Sequence, residues 1–243
     1  MARGTPDFAV NPYQLATPSV DLSAVYQGLT GMIPLDAKGR IFFNDTFHQG
    51  LGGWVNTLTG NATAAAINFN QGYVQGCCVK LPCGTVAGAG KNLLERGLVL
   101  PNVRKAGIEA ALLIDLTMKV YYRISLLFCY AAGLSYNAYL YYEVPTGNIS
   151  ISTTLGNIII GSIPITTQVF SWLPLKLVID PNTGYYVRVI IGTLEIDLRQ
   201  YLISTGVLDI KGTYYYGIRT QAADNVAGRY GSFGYVLCTT DEP

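Results

Sequence analysis

The stretch "WLPLKLVIDPNTGYYVRVIIGTLEIDL", Trp172 to Leu198, constrains the fold more tightly than any other part of the chain. Two apolar runs flank Asp180-Pro181-Asn182-Thr183-Gly184. Asp180 can cap a turn, Pro181 presets φ, and Gly184 accepts positive φ. Leu175, Leu177 and Ile179 alternate with Lys176 and Val178, so they share one face of a strand. On the return run, alternation groups Tyr186, Arg188 and Ile190 against Val187, Val189 and Ile191. The pattern specifies two long paired strands. The second run ends in Glu195-Ile196-Asp197, and a strand places both carboxylates on one face.

The remaining text agrees with β structure. Strand and turn residues are abundant, with 18 Tyr and 27 Gly among 243 residues. From Ile41 onward, apolar runs and turn signals alternate at intervals of roughly 8–15 residues, which predicts about ten to twelve strands. "AGKNLLERGLVLPN" is the exception and reads as one helical turn. There is no βαβ alternation, so a parallel sheet is not expected. Residues 1–40 differ from the rest. Pro6, Pro12, Pro18 and Pro34 break them into short pieces. A short helix is expected after Thr17, with Leu22, Val25, Tyr26 and Leu29 on one face. This arm would dock on its own domain or on a neighbouring subunit.

Charge narrows the partners. Half the residues are hydrophobic and only 13% are charged, about half the usual share. The 16 basic residues nearly balance 15 acids and are scattered. No stripe for nucleic acid results. The longest apolar run, from Ile124 to Leu134, is too short to span a bilayer, so no membrane partner is expected. The N-terminus carries no apolar stretch of signal-peptide type. An extracellular style of composition without an export signal fits a protein assembled in the cytoplasm into a virion or similar particle.

Reactive constellations are sparse. Glu195 and Asp197 have the spacing of glycosidase carboxylates, and "EIDLRQ" resembles the E-x-D-x-x-E strand of jelly-roll endoglucanases. Gln200 stands where that pattern has its third acid. Both acids are therefore expected at a strand end, solvated or bonded to backbone N–H groups. His48 is the single histidine, and no G-x-S-x-G elbow accompanies it. Cys77, Cys78, Cys83, Cys129 and Cys238 lack zinc-site spacing and are expected to be buried thiols. "GTVAGAGKN" lacks the strand–helix frame of a phosphate loop. Three N-x-S/T triplets begin at Asn44, Asn61 and Asn148 and establish nothing without secretion. Aromatic residues remain as binding candidates: Trp54, Tyr136, Tyr139, Tyr141, Tyr214 and Tyr216. Alternation pairs Tyr139 with Tyr141 and Tyr214 with Tyr216. One set is expected in the core. A subunit interface or a glycan platform would use the other.

The order of these pieces resembles a known family. "FFNDTFHQGLGGW" resembles the F-x-D-x-F…W opening strand of concanavalin A-like (laminin-G-like) jelly rolls. "GIEAALLI", the Trp172–Leu198 hairpin and "YYYGIRTQAADNVAGRYGSFGYVLC" resemble their core strand, hairpin and closing strands. The resemblance covers residues 41–243, apart from the final few. It implies an all-β, two-sheet antiparallel jelly-roll sandwich with an extended N-terminal arm. Members of this kind with arms are similar to structural proteins of phages and viruses, and others bind carbohydrate. The implied function is a non-enzymatic particle component that self-associates through its arm and Tyr-rich faces. A lectin-like module is the alternative. Many such domains hold a structural calcium between an early acid and one in the last strand. Asp45 matches the first, but Gly234 stands at the second, so no cofactor is expected.

Overall fold

The computed structural model describes residues 38–73, 77–99, 104–131, 133–163, 171–207 and 213–243. The arm residues Leu22, Val25, Tyr26 and Leu29, and the helix expected there, lie outside them. Every regular element among the described residues is a strand. In chain order these are β1 (Arg40–Asp45), β2 (Val55–Thr59), β3 (Ala66–Asn68), β4 (Cys78–Pro82), β5 (Lys91–Val99), β6 (Ala106–Ile114), β7 (Val120–Ala131) and β8 (Leu134–Glu143). They continue with β9 (Asn148–Thr153), β10 (Gly156–Ser162), β11 (Ser171–Asp180), β12 (Tyr185–Ile191), β13 (Leu194–Asp197), β14 (Ser204–Gly206), β15 (Thr213–Ala222) and β16 (Tyr230–Thr240). The pieces beyond the expected number are short ones such as β3 and β14, which carry too few residues to show a period.

Two antiparallel sheets form a sandwich. Sheet A runs β13-β12-β11-β6-β16-β4-β3, with β1 also paired to β16. Sheet B runs β10-β9-β8-β7-β15-β5-β2, with β14 also paired to β8. The expected helical turn near residue 91 is instead β5, which pairs with β15 over nine positions from Lys91 to Val99. Its Asn92 and Leu94 face inward while Leu93 and Glu95 face out. Ladder formation and burial override the helix propensity of Leu-Leu-Glu-Arg.

The hairpin forms as its turn chemistry dictates. Asp180 Oδ1 accepts the Asn182 N–H at 2.9 Å, Gly184 N–H donates to Asp180 O at 2.9 Å, and Gly184 has φ of 74°. The alternation on its return strand is broken, however. Val178 pairs with Arg188 and Ile179 with Tyr186, so Val187 is a bulge residue. Tyr186 thereby turns inward with Val189 and Ile191, and not outward with Arg188. Its hydroxyl crosses the core, donates to Ser152 O at 2.6 Å and accepts the Tyr139 N–H at 3.2 Å. Those groups lie where β8 and β9 part, just beyond the Leu140–Ile151 pair. Past the fork, β14 takes over as partner of β8, from Ser135 to Asn137.

Sheet B returns the favour through Tyr122 on β7. Its hydroxyl donates to Leu113 O on β6 at 2.5 Å and accepts the Ser232 N–H on β16 at 3.2 Å. Thr220 on β15 donates to Leu81 O on β4 at 2.8 Å. Polar tips thus tie one sheet's side chains to the other sheet's backbone, while aromatic bodies fill the space between. Tyr122 meets Phe233 edge-on at 5.3 Å, and Tyr214 stacks on Phe128 at 4.4 Å.

Sheet A is buried on its second face too. All nine residues of β6 are buried, as its uninterrupted apolar run suggests. Ala111, Tyr235 and Leu237 form a small outer cluster with Ile41, Tyr73 and Trp172. Beside it, Glu242 is ion-paired with Lys176 at 2.7 Å and Arg188 at 2.8 Å, all three buried. Such a network tolerates loss of one member poorly, because the charges left behind stay desolvated.

Two outcomes follow from the crossing tyrosines. Tyr186→Phe and Tyr122→Phe should each lower unfolding free energy in denaturant titration by about 1–3 kcal/mol, since each strands buried backbone groups. Burial also pushes the phenols of Tyr122, Tyr142, Tyr186, Tyr214 and Tyr216 up from 10.0, Tyr142 to about 12. The native state therefore holds protons that the unfolded chain releases above its tyrosine pKa. Stability should be unaffected by these groups below about pH 10 and should fall as pH rises above it. Thermal melts across pH 8–12, roughly, check the sign.

Candidate functional site

The first cluster of polar groups lies at the end of β1. Asp45 was the candidate calcium ligand, but both its oxygens are engaged by N–H donors. Oδ1 accepts the Phe47 N–H and Oδ2 the Trp54 indole N–H, each at 2.7 Å. Trp54 is 8% exposed and packs against Phe43 and Phe47. The F-x-D-x-F…W pattern is therefore an aromatic staple with a carboxylate lock, and Trp54 offers no open ring to a ligand. The same turn holds Phe47 at φ of 60°, a backbone region non-glycine residues seldom visit. An open groove of about 490 Å³ borders the staple, between His48 and Arg96. His48 is exposed there. Gly234 also has a packing reason. A Cβ there would collide with Tyr73 and lie 3.0 Å from the Trp172 ring, so no acid fits. Among the described residues no group of three or more His, Cys, Asp and Glu could hold a metal ion.

The acids of β13 are not gathered into a cleft. Glu195 and Asp197 are exposed on the edge strand of sheet A. Asp197 accepts the Arg199 backbone N–H at 3.0 Å and its guanidinium at 2.5 Å, and the side-chain bond holds its carboxyl down at about 2. Glu195 Oε1 lies 3.8 Å from Arg188 Nε. All five cysteines are buried, and Cys77, Cys78, Cys83 and Cys238 are free thiols. Burial pushes Cys78 and Cys83 up to about 11.

The outer face of sheet B is different. Register places Leu93, Arg219, Arg123, Tyr141, Ser150 and Ile159 in one row across β5, β15, β7, β8, β9 and β10. The neighbouring row carries Lys91, Gln221, Tyr121 and Glu143. On the other side come Glu95, Gly217, Ser125 and Tyr139. An open groove of about 290 Å³ lies on this face. Tyr121, Tyr141 and Ile159 supply its apolar surface; Glu143, Asn148, Ser150, Asn157, Arg219 and Gln221 supply its polar atoms. Arg123 sits 4.5 Å over the Tyr139 ring, and Arg219 lies 5.9 Å from that of Tyr141. These are partly buried aromatic surfaces with donors and acceptors at their rims.

The structure divides the sequence candidates. Tyr139 and Tyr141 share this outer face, with rings 6.1 Å apart. Tyr214 and Tyr216 are 1% and 0% exposed and belong to the core, so they present no interface. Tyr136 also turns inward, stacks on Tyr130 at 4.4 Å and lies against Gly184. Sequence reasoning passed over Tyr121, Arg123 and Arg219. The available signal was a lone cation inside each of two apolar strands, "VYYRISLLF" and "YYYGIRT".

No known family profile and no curated protein matches the chain. Solved structures do. A Shewanella oneidensis MR-1 protein of unknown function is 12% identical, with 92% of this chain and 96% of that chain covered and a TM-score of 0.50. The globular domain of T. cruzi calreticulin is 11% identical over 83% and 88%, also at 0.50. A carbohydrate esterase of the Shiga toxin-encoding bacteriophage phi24B is 12% identical over 84% and 100%, at 0.48. Likeness at this level defines the fold alone: a concanavalin A-like jelly-roll sandwich.

The Asp45 lock generates a direct test. Asp45→Asn removes a charged acceptor that serves two N–H groups and should cost about 1–3 kcal/mol. Melting temperature of the unaltered protein should be the same in calcium and in EDTA. A calcium-dependent rise, the signature of a native-state ligand, would overturn the reading of Asp45 as a lock.

Proposed function

We propose that the chain is a non-enzymatic saccharide-binding module whose ligand lies on the outer face of sheet B. The groove between Tyr121 and Tyr141 carries the proposal. Sugars present an apolar ring face and a rim of hydroxyls. A tyrosine supplies a flat apolar partner at low entropy cost. Glu143, Asn148, Ser150, Asn157 and Gln221 supply both donors and acceptors around it. Open concave or shallow sites of mixed character suit oligosaccharides better than small apolar ligands, which favour enclosed pockets. The acids of β13 are exposed, and Asp197 is held by Arg199, which favours binding without hydrolysis.

A second reading is favoured by exposed apolar side chains at the margins of sheet B. Leu155, Val99, Val55 and Ile159 are 91%, 81%, 67% and 64% exposed. Val55 and Ile159 lie on the sheet's two end strands, β2 and β10. Edges of this kind invite pairing with another chain. On this reading the protein is a particle subunit, in a virion for example, that associates with its own copies.

Glycan-array screening followed by calorimetry separates the two. The monomer should bind a saccharide, and Tyr121→Ala or Tyr141→Ala should weaken binding about tenfold, or about 1.4 kcal/mol. Glu195→Gln should change nothing. Absence of any saccharide binding, with concentration-dependent assembly in sedimentation, would replace the first reading with the second.

A further inference from the structure

Arg219 on β15 and Arg123 on β7 are direct cross-strand neighbours on the outer face of sheet B. Like charges directly opposed in a ladder destabilise it. Glu95 offsets part of the charge on Arg123, but no direct ion pair does. Neither guanidinium is ion-paired with a carboxylate among the described residues. Glu95 lies one row away, opposite Gly217; burial pushes its carboxyl up while Arg123 pulls it down, and it forms no ion pair with either guanidinium. Glu143 is two strands from Arg219, beyond Tyr121, and accepts the Thr146 hydroxyl at 2.7 Å.

The arginines are also short of hydrogen bonds. Arg123 is 9% exposed, and its buried Nε meets no acceptor. Arg219 Nε is likewise buried without an acceptor, and its Nη2 donates to Gln221 Oε1 at 3.1 Å. A guanidinium carries five donors in a planar fork. Two such forks stand side by side, backed by the Tyr139 and Tyr141 rings, and one borders the groove. Burial, and then Arg123, hold Arg219 down at about 10. The pair is arranged at a cost to the empty protein, and an oxyanion between the forks would remove both the repulsion and the donor deficit.

We propose that the saccharide taken by this face is acidic, with a carboxylate or sulfate oxyanion seated between Arg123 and Arg219 and a sugar ring against Tyr141. The inference rests on the saccharide-binding reading above and names the chemical class of ligand. Tyr139 and Arg123 fix the depth of the anion, and Gln221 orients Arg219.

The test compares three probes by calorimetry on the full chain: a uronate oligomer, a sulfated oligomer and a neutral oligomer of matched length. At least one acidic probe should bind ten times or more tighter than the neutral one, and its affinity should fall with added salt. Which acidic probe wins identifies the oxyanion. Arg219→Gln should lose the acidic preference, while Arg219→Lys, which keeps charge but not the fork, should retain part of it. Because Arg219→Gln relieves repulsion, its melting temperature should equal or exceed that of the unaltered protein. A lower one would mark the pair as structural and overturn the inference. Equal binding of neutral and acidic probes would overturn it and leave the saccharide reading standing. Binding of no probe would remove both.

Discussion

One phenol decides how the two halves of this sandwich meet. Tyr186 leaves sheet A, crosses the core and bonds to Ser152 O and Tyr139 N–H in sheet B. Those two backbone groups would otherwise face each other across a fork with no ladder partner. Buried groups of that kind are strongly penalised when unpaired. With the hydroxyl in place, β8 can serve β9 along one half and β14 along the other. The fork sits at Tyr139, so the same bond fixes the start of the aromatic patch on the opposite face of the sheet. Tyr122 makes the reciprocal crossing from sheet B and pins β6 and β16.

This arrangement explains where polarity is allowed. Tyr186 and Tyr122 bury aromatic bulk in the core while their hydroxyls are engaged at the far sheet. The outer face of sheet A is closed by an aromatic cluster and the Glu242 network. The Asp45–Trp54 lock closes the β1 end. Among these described surfaces, the outer face of sheet B stands apart. Its two arginines form no ion pair with a carboxylate among the described residues. Buried side-chain atoms without a hydrogen-bond partner occur elsewhere too, at Asn44, Tyr216 and Ser232, but on this face two of them belong to guanidinium groups placed opposite each other.

Much of the fold was legible in the chain because it depends on local rules. Period-two alternation around a Pro-Asn-Thr-Gly turn can hardly be anything but a hairpin, and the all-β sandwich followed. The exposed acids of β13 were legible as well, since no third acid accompanied them. Strand β5 was misread because its residues favour a helix in isolation, and the pairing with β15 that overrides this joins residues 114 to 130 positions apart. Tyr214 and Tyr216 were correctly placed on one face, but nothing local says which face is the core.

The sequence alone determined the class of structure and the existence of the hairpin with its turn, because each arises from neighbours within a few residues. The tertiary structure alone decided the rest. A single bulge at Val187 reversed the facing of Tyr186, since one inserted residue shifts a strand by half its period. Packing against Tyr73 and Trp172 required Gly234. The Arg123–Arg219 pair exists only through the β7–β15 register, which joins residues far apart in the chain. Local alternation fixes which side chains go together, and long-range pairing fixes what they meet.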